Sequence, residues 1–141
     1  MIVEDDTDDA EFICEVITKT NLGIERIMAY DGVDALKKLR PENIQLPNII
    51  FLDLNMPLMD GRSCLMELKK DENLKHIPVI VISTSSYQKE IDEMYKLGAV
   101  YYLSKRYDFN TFCKKIIFVL NTDWSVNTSN GSLQTAISFK N

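Results

Sequence analysis

No apolar run in these 141 residues is long enough to span a bilayer, so no transmembrane helix is expected. The amino terminus has no basic segment ahead of an apolar one, so no secretory signal is read. Positive charge is in deficit. Sixteen Lys and Arg stand against 21 Asp and Glu, a net charge of −5. That balance speaks against non-specific nucleic-acid binding, which depends on basic patches. Cysteines are few and unpaired in spacing: Cys14, Cys64 and Cys113. All three fall in helical patterns and read as small buried hydrophobes of a reducing cytoplasm. The one histidine, His76, has no partner at metal-ligand spacing and reads as a surface residue. Internal repeats are absent.

What is present is an ordinary globular composition, 45% apolar and 26% charged, enough for one domain with a real core. Strand-like and helix-like patterns alternate. Strands are expected at 1–3, 26–29, 48–53, 79–82 and 100–103. Helices are expected over 8–20, 33–39 and 63–70, with a fourth opened by a capping box at Ser85-Ser86-Tyr87-Gln88 and closed by Gly98. Asp108 would cap a fifth helix carrying Phe109, Phe112, Cys113, Ile116, Ile117 and Leu120. Five strands alternating with five helices indicate an α/β fold, a doubly wound parallel sheet with helices on both faces. From Thr122 the composition turns to Ser, Thr and Asn without a clear period. Residues 122–141 therefore read as a polar C-terminal tail, expected to be partly disordered, with Trp124, Ile137 and Phe139 as local anchors. Two glycosylation-like triplets in it, from Asn127 and Asn130, are chance matches on this reading.

The strand ends carry the chemistry. Ile49-Ile50-Phe51-Leu52 ends in Asp53, followed by Leu54-Asn55-Met56-Pro57. Met1-Ile2-Val3 ends in Glu4-Asp5-Asp6. Val79 to Ile82 ends in Ser83 and Thr84, and the run through Tyr102 and Leu103 is followed by Lys105. Open α/β sheets place their ligands at the carboxyl ends of strands. Carboxylates, a hydroxyl and an ammonium on one such edge suit a divalent metal and a phosphoryl group. Taken singly, a strand-end aspartate is as often a turn residue. Asp6, Asp8 and Asp9 read as a solvated helix start.

With these residues in place, the chain resembles a response-regulator receiver domain, of the single-domain, chemotaxis-regulator-like type. The resemblance covers residues 1–121 and rests on Glu4-Asp5-Asp6, on Asp53 to Pro57 with Met59-Asp60-Gly61, on Pro78 to Ser83, and on Leu103-Ser104-Lys105. It implies a flavodoxin-like sheet of order 2-1-3-4-5. It implies that Asp53 accepts a phosphoryl group from a sensor histidine kinase or phosphotransfer protein. It implies Mg²⁺ held by Asp5, Asp53 and the backbone carbonyl of Asn55, with Glu4 acting through water. Lys105 and Ser83 would bond phosphoryl oxygens, Tyr102 would be an aromatic switch, and Thr84 and Ser85 would be secondary residues. A partner protein would read the surface of the fourth helix, fifth strand and fifth helix. The implied setting is cytoplasmic, as a monomer or weak homodimer, with neither nucleic acid nor membrane as partner and no enzymatic turnover beyond self-phosphorylation and slow autodephosphorylation.

Two departures stand out. The family usually has proline after the lysine, whereas Arg106 follows Lys105, so either a trans peptide or a strained loop is expected. The first strand is also short, where the resemblance implies a start a few residues earlier. Two rival functions remain open at this stage. A degenerate, docking-only receiver is opposed by intact Asp5, Asp53 and Lys105. A haloacid-dehalogenase-type phosphatase is opposed by Asn55, where that class needs a second acid.

Overall fold

The apolar runs become strands because they are short, rich in branched side chains and covered on both faces. The computed structural model describes residues 1–125. In it, β1 (Ile2–Val3), β2 (Met28–Ala29), β3 (Ile50–Asp53), β4 (Val79–Ser83) and β5 (Tyr101–Ser104) form one sheet. Their order is β2-β1-β3-β4-β5, and every neighbouring pair is parallel. This is the doubly wound architecture expected from the sequence.

The helices are α1 (Thr7–Lys19), α2 (Gly32–Leu39), α3 (Gly61–Lys70), α4 (Gln88–Lys96) and α5 (Phe109–Asn121). Successive strand residues point to opposite faces, so the sheet has two cores. Leu52 and Val81 pack with Leu36 of α2 and Leu65 and Leu68 of α3. Phe51 and Ile80 pack on the other face with Ile13 of α1 and Ile116 of α5. The chain leaves β1 for one edge and returns across it to β3. The crevice of this fold therefore opens above the carboxyl ends of β1 and β3.

Four helices begin on an aspartate whose carboxylate accepts a backbone N–H three residues on: Asp6, Asp31, Asp60 and Asp108. The capping box expected at Ser85 and Gln88 is not formed. The chain is still extended at Tyr87, which precedes α4 without a side-chain cap. Ser85 Oγ instead accepts from the Tyr87 amide at 3.3 Å, and Gln88 donates to Asp92 at 2.7 Å. Gly98 ends α4 as expected, at φ +106°, with its amide bonded to Tyr95 at 3.0 Å. β2 covers only half of the expected 26–29 span. On α5, Phe109 and Ile117 face water.

The three cysteines are free thiols, and burial pushes the Cys64 thiol up to about 12. His76 is exposed. Trp124 is buried, and its indole N–H bonds the Val119 carbonyl at 3.0 Å, so this anchor forms. Ile137, Phe139, the two triplets and the tail beyond Ser125 lie outside the described residues. Among the described residues, no helix is long and apolar enough to cross a membrane.

Candidate functional site

β3 delivers Asp53 to the crevice, with its side chain only 5% exposed. One carboxylate oxygen, Oδ2, accepts from the Asn55 amide at 2.9 Å. The other, Oδ1, lies 2.9 Å from Lys105 Nζ. The loop after β3 is pinned at its far end, where the Gly61 amide bonds the Leu54 carbonyl at 3.0 Å. A Cβ at Gly61 would overlap the carbonyl of Asp53, so only glycine lets α3 start this close to the strand.

β1 delivers the acidic pair. Glu4 is buried, and its Oε1 accepts from the Asp6 amide at 3.2 Å. Asp5 is exposed on the rim. Oxygens of Glu4, Asp5 and Asp53 all lie within 4.8 Å of one another. Three converging carboxylates carry more negative charge than one ammonium balances. An all-oxygen set of this size fits a hard divalent cation that keeps part of its water shell. Asn55 stands exposed beside Asp53 at the same rim.

The loop after β5 brings Lys105, anchored by its amide to the Ser83 carbonyl at 2.8 Å. No described peptide bond is cis, so the Lys105–Arg106 link is the trans alternative, and the Arg106 amide bonds Ser104 Oγ at 3.2 Å. Lys105 Nζ reaches Glu4 at 2.8 Å and also Asp9 at 2.6 Å. Asp9 was expected only as a solvated helix start. Its partner lies 96 residues away, so no local pattern announces the pair.

Burial opposes the charge of Lys105, yet its hydrogen bonds to Asp9, Glu4 and Asp53 hold its pKa above the ordinary lysine value. Burial raises the Asp53 carboxyl above the usual range, against the pull of Lys105. Burial raises Glu4 as well, opposed by Lys105 and reinforced by the charge of Asp53. Both acids therefore gain from any added positive charge.

Ser83 ends β4, buried, with its Oγ accepting from the Ser85 amide at 3.1 Å. Thr84 is exposed and Ser85 half-buried. Tyr102 is neither a sealed core residue nor a free surface one. Its hydroxyl lies 2.8 Å from Glu90 and 3.1 Å from the Ser85 carbonyl, so it ties β5 to the start of α4. Burial, with Glu90 nearby, pushes its hydroxyl up to about 12. The structure thus joins Glu4, Asp5, Asp53 and Lys105 in one cluster. Ser83 stands at the neighbouring strand end, with Tyr102 behind the β4–α4 loop.

A strand-end aspartate, two further acids and a lysine thus converge above a 2-1-3-4-5 sheet. The chain belongs to the response regulator receiver domain family, whose model matches residues 1–117. Response regulator Rcp1 of Synechocystis sp. is 35% identical over 120 residues, which span 82% of each chain. The crystal structure of the Mn²⁺-bound form of Rcp1 matches at TM-score 0.75 and 34% identity, covering 84% of this chain and 88% of that one. The phosphorylated cyanobacterial phytochrome response regulator RcpA matches equally, at TM-score 0.75 and 34% identity, over 84% of this chain and 87% of its own. The chain is therefore a receiver module of two-component signalling, similar to these regulators.

Proposed function

We propose that Asp53 accepts a phosphoryl group from a phosphohistidine of a sensor kinase or phosphotransfer protein, and that the resulting change of surface is the output. The convergence of Glu4, Asp5 and Asp53 around one oxygen pair already met by Lys105 carries this reading. An Asp53 oxygen attacks phosphorus in line; the P–N bond breaks, and the imidazole leaves with the electron pair. Mg²⁺, or Mn²⁺ as in the Rcp1 crystal form, would be held by Asp5, Asp53 and the Asn55 carbonyl, with Glu4 through water, and would supply the charge that lets an anion approach three carboxylates.

Lys105 turns its ammonium to one phosphoryl oxygen, and Ser83 gives its hydroxyl to another. Drawing Ser83 inward moves the Thr84–Ser85 segment, to which Tyr102 is already hydrogen-bonded. Tyr102 follows, and the face of α4, β5 and α5 changes for a reader protein. Thr84 narrows the access to Asp53, and Asn55 and Ser85 act on how long the phosphoryl group lasts. The cell compartment is the cytoplasm, where kinase and reader are met. Similarity to RcpA makes a phytochrome-type histidine kinase the first donor to try.

Acetyl phosphate with Mg²⁺ should label the wild-type chain, and Asp53→Asn should abolish the label. An unlabelled wild type would leave a docking-only receiver. Amide resonances of residues 84–103 that stay fixed on addition of beryllofluoride would overturn the switch.

A further inference from the structure

We infer that Asp9 is a positioning residue that clasps Lys105 in the resting site and releases it for phosphoryl transfer. The inference rests on the phosphoacceptor reading and adds a residue to it. An ammonium has three N–H donors. Here Glu4 and Asp9 accept hydrogen bonds from it at 2.8 and 2.6 Å, and Asp53 closes the third side as an ion pair at 2.9 Å. A phosphoryl oxygen can bond Nζ only by displacing one of them.

The three are not equally easy to displace. Glu4 and Asp53 have side chains 2% and 5% exposed, so losing the ammonium leaves a bare charge away from water. The Asp9 side chain is 46% exposed, and water replaces its partner at little cost. Nor does Asp9 belong to the trio of acids that converge for a cation, so an added metal does not recruit it. Its carboxylate has no part in capping α1, where Asp6 is the acceptor and Asp9 gives only its amide. What it does is occupy the Lys105 bond that the incoming anion needs, while placing a negative charge on that anion's path.

Asp9→Asn keeps the shape and removes the charge. With acetyl phosphate well below saturation, it should take label about fivefold faster than wild type at low salt, the scale of one half-exposed ion pair. The advantage should shrink in about 1 M salt, where such charges are screened. Asp9→Glu should return the rate toward wild type. A second measurement needs neither metal nor donor: proton exchange at the Lys105 ammonium, followed by ¹⁵N NMR, should quicken in Asp9→Asn. An unchanged or slower rate on a wild type that labels at Asp53 would overturn the clasp and leave the phosphoacceptor reading intact. No label on wild type would overturn that reading, and unchanged ammonium exchange would overturn the clasp independently.

Discussion

Gly61 lies so near the backbone carbonyl of Asp53 that a single added carbon would overlap it, and that carbon would stand 2.8 Å from Leu54 Cα. The crowding atoms belong to backbone, which cannot turn aside as a flexible side chain does. The first turn of α3 and the acceptor strand are thus one rigid joint.

Gly61→Ala should push the two apart. Overpacking against backbone costs about 2–3 kcal/mol, and here it also moves the acceptor. A drop in urea midpoint together with lost phosphorylation is expected. A variant with wild-type stability and labelling would show that the joint yields more easily than the geometry says.

Lys105→Met keeps the stem volume and removes the ammonium. Glu4 and Asp53 then lose their common cation, at a cost of about 3 kcal/mol near neutral pH. Their folded pKa values, already raised by burial, rise further without the lysine hydrogen bonds. Groups with raised values favour the fold at low pH and lose that contribution as pH climbs through them. The deficit of the variant should therefore narrow on acidification. Mg²⁺ should also narrow it, by binding the folded acids. Urea titrations at two pH values, with and without Mg²⁺, test both effects.

Lys69 gives an opposite dependence at the other end of the molecule. Its ammonium is tucked beneath α3, donating to the carbonyls of Ile77 at 2.8 Å and Lys75 at 3.0 Å. Burial lowers its pKa to about 8 from 10.5. The fold holds this group charged at a cost below pH 8, and the cost is relieved as pH rises from there toward 10.5. Wild type should gain about 1 kcal/mol over Lys69→Met across that interval, after allowance for the water still reaching the amine. Chemical denaturation of the pair at pH 7 and pH 10 measures it. Parallel curves for the two proteins would refute the assignment.

The alternation of strands and helices and the strand-end chemistry were legible because they rest on local pattern: short apolar runs, each ending in a polar residue, separated by amphipathic helices; the order 2-1-3-4-5 came from the family resemblance. Asp53, Glu4, Asp5 and Lys105 could be marked from sequence, and the structure brings them together. Asp9 could not, because an acid in the first turn of a helix looks the same whether water or a distant lysine meets it. The start of α4 was misread for a related reason. Ser-Ser-Tyr-Gln satisfies the pattern of a cap, but extended backbone at Tyr87 delays the helix, and the serine closes a local turn instead. Arg106 left two readings of the Lys105 link, a trans peptide or a strained loop, and the structure takes the first. That the lysine would still reach the acids could only be read in three dimensions.

The chain's one indole sits under the amino-terminal ends of the strands, packed near Tyr101 and sharing a cavity wall with Met1 and Ile49. The acceptor carboxylate is at the far end of the same sheet. Intrinsic fluorescence is accordingly a clean meter of global melting for every variant above, and a poor optical reporter of cation uptake or acyl-phosphate formation.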